Sequence, residues 1–245
     1  MKAHQRIIRE RFADSTPRTT VPLSECEVIP ITREQAATVI LKYEWLGTMN
    51  TAYQFGYGLS HGNDLLGAVC FGSGSGTRAA LSLCGEQNVP LVICLERGAC
   101  VHYAHEHAGS HLIASACRMA ARDHGKRIFY AYSDRAAGEI GTLYQACNWM
   151  YLGVTGRKPN SWRWEYIHPL DGSVVNSRTM RARIRKSYGE SPAPLKEFWD
   201  DLEASGWTRR RAYDRSRYVR FEGSKTQKRK LKQALLVPQL PYPKR

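Results

Sequence analysis

The chain has 245 residues, 42% of them apolar, and a formal net charge of +14. That length and apolar share support one large domain or a core with an extension. With no run of 18 apolar residues, a charged Met1 to Phe12 stretch without an export-type apolar segment, and seven cysteines lacking any Cys-x-x-Cys pair, the composition excludes a membrane span and points to a reduced, cytoplasmic protein.

The charge is unevenly placed. From Gly172 to Arg245 there are 19 Lys and Arg against 7 Asp and Glu, while the first 171 residues hold 17 against 15. A near-neutral body with a basic extension suits a polyanionic partner, because each cation that neutralises a phosphate releases condensed counterions. A solvated basic face has the same composition.

In chain order, residues 1–27 read as a polar arm, punctuated by Pro and Thr and with little structure, ahead of Val28 and Ile29. Thr32 with Gln35 forms a capping box, opening a helix whose apolar face is Ala36, Val39, Ile40 and Tyr43. The loop Glu44-Trp45-Leu46-Gly47-Thr48-Met49 carries one acid among apolar and aromatic side chains, and either lines a pocket or plugs the core. Alternation over Tyr53, Phe55, Tyr57 and Leu59, then His61-Gly62-Asn63-Asp64 and the apolar run Leu65 to Phe71, predicts a β-hairpin. Gly72 to Thr77 lacks the ending of a phosphate loop and reads as a flexible loop. Val89 to Leu95 is an apolar strand ended by Glu96-Arg97-Gly98.

A helix follows that Gly109-Ser110 opens and His124-Gly125 closes, with Leu112, Ile113, Ala116, Met119 and Ala120 on its apolar face; its first amides suit an anion. Ile128 to Tyr132 is the next strand, and Asp134 stands where it stops. Gly138 to Cys147 then carries Ile140, Leu143 and Ala146 at helical spacing, which brings Tyr144 and Asp134 together at a sheet end. Trp162, Trp164 and Tyr166 alternate as a final strand of the core. Pro194, Leu195, Phe198, Trp199 and Leu202 outline a helix that Gly206 terminates. Basic clusters at Arg181, Arg183, Arg185 and Lys186, at Arg209, Arg210 and Arg211, and at Lys228, Arg229 and Lys230 are interleaved with Tyr188, Tyr213, Tyr218 and Phe221, a mixture that suits DNA. The organisation expected is an arm over 1–27, a core over 28–171 and a basic extension over 172–245 that packs on the core.

This order of elements, with the frame Gly141-Thr142-Leu143-Tyr144-Gln145-Ala146-Cys147-Asn148-Trp149, resembles the GNAT N-acetyltransferase superfamily. The resemblance implies an α+β fold with a mixed, mostly antiparallel sheet flanked by helices, an acetyl-CoA donor, and Tyr144 as general acid. More narrowly, Glu96-Arg97-Gly98-Ala99-Cys100, Ala108-Gly109-Ser110, Tyr132-Ser133-Asp134 and the run Gly138 to Trp149 resemble the phage Mu-type Mom proteins over most of the chain. Those proteins convert adenine in phage DNA to N6-carbamoylmethyladenine, which shields the DNA from host restriction.

The resemblance implies a phage- or prophage-encoded transferase in the host cytoplasm, acting on double-stranded DNA. It points to Asp134, Tyr144, Ser110 and Arg97 as catalytic residues and to Tyr43 and Glu44 near the substrate; Gly109, Ser110, His111 and Arg97 are the donor candidates, and because the paired base must be flipped out, Tyr43, Trp45 and Tyr103 are aromatics available to stack on it. One departure stands out. Where acetyl-CoA enzymes carry their pyrophosphate loop, this register gives Glu106-His107-Ala108-Gly109-Ser110-His111, and a carboxylate beside a pyrophosphate is unfavourable. Atom balance favours a glycyl ester or thioester donor, such as glycyl-tRNA, over acetyl-CoA. His102, His105, His107 and His111 leave metal binding open. The rival readings are an ordinary acyl-CoA-dependent acetyltransferase and a non-catalytic DNA-binding protein on the same core.

Overall fold

The computed structural model describes residues 3–16, 18–49, 52–74, 76–155, 164–170, 172, 174–176, 180, 184, 199–211 and 215–244. Contacts divide it into two compact units, one of residues 1–153 with 216–245 and one of residues 154–215. The contact boundaries fall at 153/154 and 215/216.

The larger unit is built on a seven-stranded sheet. Its strands are β1 (Glu27–Ile31), β2 (Tyr53–His61), β3 (Asp64–Gly72), β4 (Val92–Cys100), β5 (Ile128–Asp134), β6 (Met150–Val154) and a late strand, β10 (Arg215–Phe221). They lie in the order β1-β2-β3-β4-β5-β10-β6. Pairing is antiparallel from β1 through β4 and parallel between β4 and β5. The fold is α+β with a mostly antiparallel sheet flanked by helices, as expected. The basic segment does more than pack on the core, since β10 enters the sheet between β5 and β6 and buries Tyr218 and Val219 completely. Val219 and Phe221 bury there in the cluster of Val92, Ile128 and Leu152, which removes their apolar area from water.

The amino-terminal arm, expected to have little structure, carries the 12-residue helix α1 (His4–Ser15), which buries no residue completely. Helix α2 (Arg33–Tyr43) opens with the expected reciprocal cap, Thr32 accepting from Gln35 N and Gln35 Oε1 accepting from Thr32 N. After the hairpin, Gly76 at φ +80° opens α3 (Thr77–Cys84), a helix within a stretch expected to begin as loop. Helix α4 (Ala108–Asp123) buries Leu112, Ile113, Ala116 and Ala120 against the sheet. Helix α5 (Thr142–Ala146) follows β5. Late in the chain, α7 (Lys225–Gln233) is capped by Ser224 and Gln227, and its Leu231 packs beside Leu235 and Val237 on the apolar cluster of Val92, Ile128 and Val219.

The second unit pairs β7 (Trp164–Ile167) with β8 (Val174–Asn176) and β9 (Thr208–Arg211) in a separate sheet, so the Trp164–Tyr166 alternation belongs there rather than to the core. Helix α6 (Trp199–Ala204) contributes Trp199 to a small apolar cluster with Tyr166, Met180 and Ile184. Gly206, at φ +83°, closes it as expected.

Candidate active site

The parallel pairing of β4 with β5 runs only from Val92↔Ile128 to Leu95↔Ala131. Beyond that point the strands part, and the carboxyl ends of both, Glu96 to Cys100 and Tyr132 to Asp134, are open to what α4, α5 and the α2–β2 loop place there. A β-bulge makes the opening usable. Against β3, Phe71 pairs with Leu95 and Cys70 with Arg97, so Glu96 is the extra residue. Leu95 lies in the apolar layer under α4, whereas Cys70 and Ala99 lie in the layer under α2. Arg97 shares the face of its partner Cys70, so the bulge turns a residue that strict alternation would send toward α4 to the α2 side.

There Arg97 is held by acceptors. Its Nε donates to Thr48 O at 2.9 Å and its Nη1 to Glu96 O at 2.8 Å, and Nε lies 3.4 Å from Glu44 Oε2. Glu44 caps α2, and its side chain is only 9% exposed. The Gly98 N–H reaches the carboxyl, but Oε2 has no hydrogen-bond partner among the described residues. Burial pushes the Glu44 carboxyl up to about 7, against the opposing pull of Arg97 and the Gly98 amide. A buried carboxyl poised near neutrality beside an anchored guanidinium is the arrangement expected of a proton acceptor.

Tyr144 comes from the other side of the opening. Gly141 takes φ +70°, and a Cβ there would run into the Tyr218 ring, whose hydroxyl donates to Ile140 O at 2.5 Å. That turn starts α5. The helix ends where Trp149 N donates to Tyr144 O at 3.0 Å and Asn148 takes φ 57°. Tyr144 is clasped between Trp149, 5.1 Å away ring to ring, and Tyr218, at 5.3 Å. Burial pushes the phenol well above its ordinary value, and the nearby charges of Glu44 and Glu139 push it further. It is therefore protonated at any working pH. Glu44 and Glu139 are the carboxylates that raise it. Asp134 ends β5, and its carbonyl accepts from Glu139 N at 3.1 Å. Glu139 was not singled out in the sequence, since nothing in its spacing separates it from a turn residue.

The other expected residues are placed as follows. Ser110 lies in the first turn of α4, its Oγ donating back to His107 O at 2.9 Å and its carbonyl accepting from Cys147 Sγ at 3.4 Å. A Cβ on Gly109 would meet Leu143 Cδ1 of α5 at 3.2 Å, and His111 faces away toward β1. Tyr43, Trp45 and Tyr103 lie beneath the amino-terminal segment. Phe12 packs on Tyr43 at 4.8 Å, His4 meets Trp45 at 5.3 Å, and the Arg18 guanidinium lies over Tyr103 at 4.9 Å. Gln5 joins the same loop, donating to Tyr43 O and accepting from Trp45 N.

Of the DNA-binding candidates, Arg181, Arg183, Arg185 and Lys186 lie outside the described residues. Arg209 to Arg211 form the exposed strand β9, with Arg209 over the rings of Trp164 and Trp199 and Arg210 bonded to Glu165 at 2.9 Å. Lys228, Arg229 and Lys230 lie on α7; Lys228 is 3.3 Å from Glu222. His105 and His107 are 5.3 Å apart ring to ring, and among the described residues no three His, Cys, Asp or Glu side chains converge as a metal site.

The first turn of α4 departs from a plain anion cradle in three ways. Leu143 fills the space over Gly109, the Ser110 hydroxyl is turned into its own helix, and the exposed Glu106 carboxylate stands beside that turn.

The model of the Mom protein family matches residues 25–244. Comparison with curated proteins gives no match. Among solved structures, the chain is similar to a Bacillus subtilis acetyltransferase in complex with CoA, at 12% identity and TM-score 0.40, over 81% of this chain and 99% of that one. It is also similar to spermidine N-acetyltransferase from Vibrio cholerae in complex with CoA and spermine, at 8% identity and TM-score 0.43, over 81% and 96%. A third is a GNAT family acetyltransferase from Elizabethkingia anophelis with acetyl-CoA bound, at 9% and 0.37, over 81% and 99%.

Proposed function

The chain belongs to the Mom protein family, and on that premise we propose that it is an acyl-transfer enzyme that converts adenine in double-stranded DNA to N6-carbamoylmethyladenine, protecting the DNA from restriction. The observation that carries this reading is the buried Glu44 carboxyl at the open ends of β4 and β5, 3.4 Å from the anchored Arg97 and near enough to Tyr144 to raise its phenol.

The roles follow from the state of each group. Glu44, with its carboxyl near neutrality, takes the proton that N6 loses as it attacks an acyl carbon. Arg97, anchored by Thr48 O and Glu96 O, holds the carbonyl oxygen as it becomes an oxyanion. Tyr144, kept protonated by burial, gives its proton to the leaving oxygen or sulfur and regains one from Glu44. Asp134, at the end of β5, orients the base.

The donor is a glycyl ester or thioester, with glycyl-tRNA as the ester. N6 attacks the glycyl carbonyl, an N–C bond forms and the ester bond breaks. The free glycyl amine then attacks adenine C6 through a five-membered spiro ring, and the former N6 leaves C6, taking up a proton. The product carries N6–CH2–CO–NH2, in which the ring-attached nitrogen comes from glycine and the carboxamide nitrogen from adenine. No oxidant is required. The target base must leave the stack. Tyr43, Trp45 and Tyr103 are its stacking partners, which requires α1 and the Arg18 segment to give way.

DNA from expressing cells fed glycine labelled at nitrogen tests the scheme. Label at the ring-attached nitrogen is expected. Modified adenine without label would exclude the glycyl donor, and unmodified adenine would exclude the function.

A further inference from the structure

Helix α4 has an outer face that the proposed chemistry does not use. His111, Ser115, Arg118 and Arg122 recur at steps of four, three and four residues, which puts them on one stripe of the helix. With Met119 and with Val28 of edge strand β1 they line an open depression of about 350 Å³. Its apolar wall, Val28 and Met119, packs against the main core. Its rim is cationic.

The two guanidiniums are held in place while remaining exposed. Arg118 Nη2 donates to Ser115 Oγ at 2.9 Å. Asp123 holds Arg122 through both oxygens, at 2.6 and 3.3 Å, and itself accepts from Tyr57 OH at 3.0 Å, so the anchor is tied to β2. The Arg122 side chain is nonetheless 71% exposed. Arginines fixed in this way lose less side-chain freedom on meeting a phosphate, and their remaining N–H groups are the donors that phosphate oxygens accept from.

Position sets this stripe apart from the denser basic cluster on α7. Helix α7 packs through Leu231 on the apolar cluster that contains Val92 and Ile128, the first residues of β4 and β5, and so belongs to the sheet end opposite the candidate active site. The α4 stripe begins at His111, next to Ser110, whose carbonyl meets Cys147 just beyond α5, and runs from there along the helix to Arg122 in its last turn. From His111 to Arg122 it extends about 16 Å at the helical rise, a length over which one strand of B-DNA presents about five phosphates.

We propose that this depression holds the phosphodiester backbone of the DNA strand flanking the base to be modified, with Arg118 and Arg122 on phosphates, His111 and Ser115 as further hydrogen-bonding groups, and Val28 and Met119 against deoxyribose. The proposal rests on DNA being the substrate, and its test separates the two. Binding of a duplex oligonucleotide is measured across a salt series for the full chain, for Arg118→Gln with Arg122→Gln, and for Arg118→Lys with Arg122→Lys, together with the KM and kcat of modification. The Gln pair should flatten the slope of log affinity against log salt by about two, weaken binding at low salt at least tenfold, and raise KM while leaving kcat within about twofold. The Lys pair should recover most of the slope. A wild-type chain that binds and modifies DNA, with a Gln pair of unchanged slope and affinity, overturns the groove alone. A wild-type chain that binds no DNA overturns the substrate and the groove together.

Discussion

The Arg97 Nε lies 3.4 Å from Glu44 Oε2, yet Glu44 is still pushed up to about 7, so at this site burial outweighs the attraction of the guanidinium. The pair is therefore poised rather than locked. A salt bridge that existed only for stability would keep its carboxylate ionised far below neutral pH.

Stability should carry the imprint of that balance. Glu44 has its folded value raised above its ordinary 4.5, so between pH 4.5 and about 7 the folded chain keeps a proton that the unfolded chain has released. Its contribution is complete below pH 4.5 and is lost as pH rises through about 7, by at most about 3 kcal/mol. Glu44→Gln should be more stable than wild type at pH 8 and about equal to it at pH 4, measured by urea unfolding, while losing activity at both.

Arg97→Gln removes the one charge that holds the Glu44 carboxyl down. The carboxyl should then titrate higher, and the acid limb of the pH–rate profile should move to more alkaline pH. An unmoved limb with merely lower rates would mean that Glu44 is not the group being titrated.

Tyr144→Phe keeps the ring that packs on Trp149 and Tyr218 and deletes only the phenol oxygen. The rate of modification should fall by about 10²–10⁴-fold, as for loss of a general acid, with the unfolding midpoint nearly unchanged and DNA affinity unaltered. A large stability loss with little change in rate would make Tyr144 a packing residue.

Gly141→Ala tests the scaffold. The residue sits at φ +70° against the Tyr218 ring, so the substitution adds both backbone strain and overlap. It should cost about 1–3 kcal/mol in urea unfolding and reduce activity by displacing α5.

Much of this arrangement is legible in the sequence where a local rule acts alone. The Thr32–Gln35 cap, the hairpin around Gly62, the α4 limits and the strand from Ile128 all depend on neighbours in the chain, whereas the helix expected over Gly138 to Cys147 is shorter, Thr142–Ala146. What escapes is set by distant partners. Helix α1 buries no residue completely, and the side chains it packs on, Tyr43 and Trp45, are distant in the chain. The place of β10 between β5 and β6 depends on sheet order, which no stretch of Arg217 to Phe221 encodes by itself. Glu44 appears in the sequence as one acid in an aromatic loop; its closeness to Arg97 follows from the bulge at Glu96, an offset visible only in the register against β3. The α4 stripe lies within a region whose charges nearly cancel in the sequence, and it emerges as a groove only once β1 lies alongside.

The most direct measurement is mass spectrometry of nucleosides from the DNA of cells expressing, at equal levels, the wild-type chain, Glu44→Gln or Tyr144→Phe. Deoxyadenosine carrying a carbamoylmethyl group with the wild type, and its loss with either variant, is the expected result. Unmodified deoxyadenosine with the wild type, or full modification with both variants, would contradict the account.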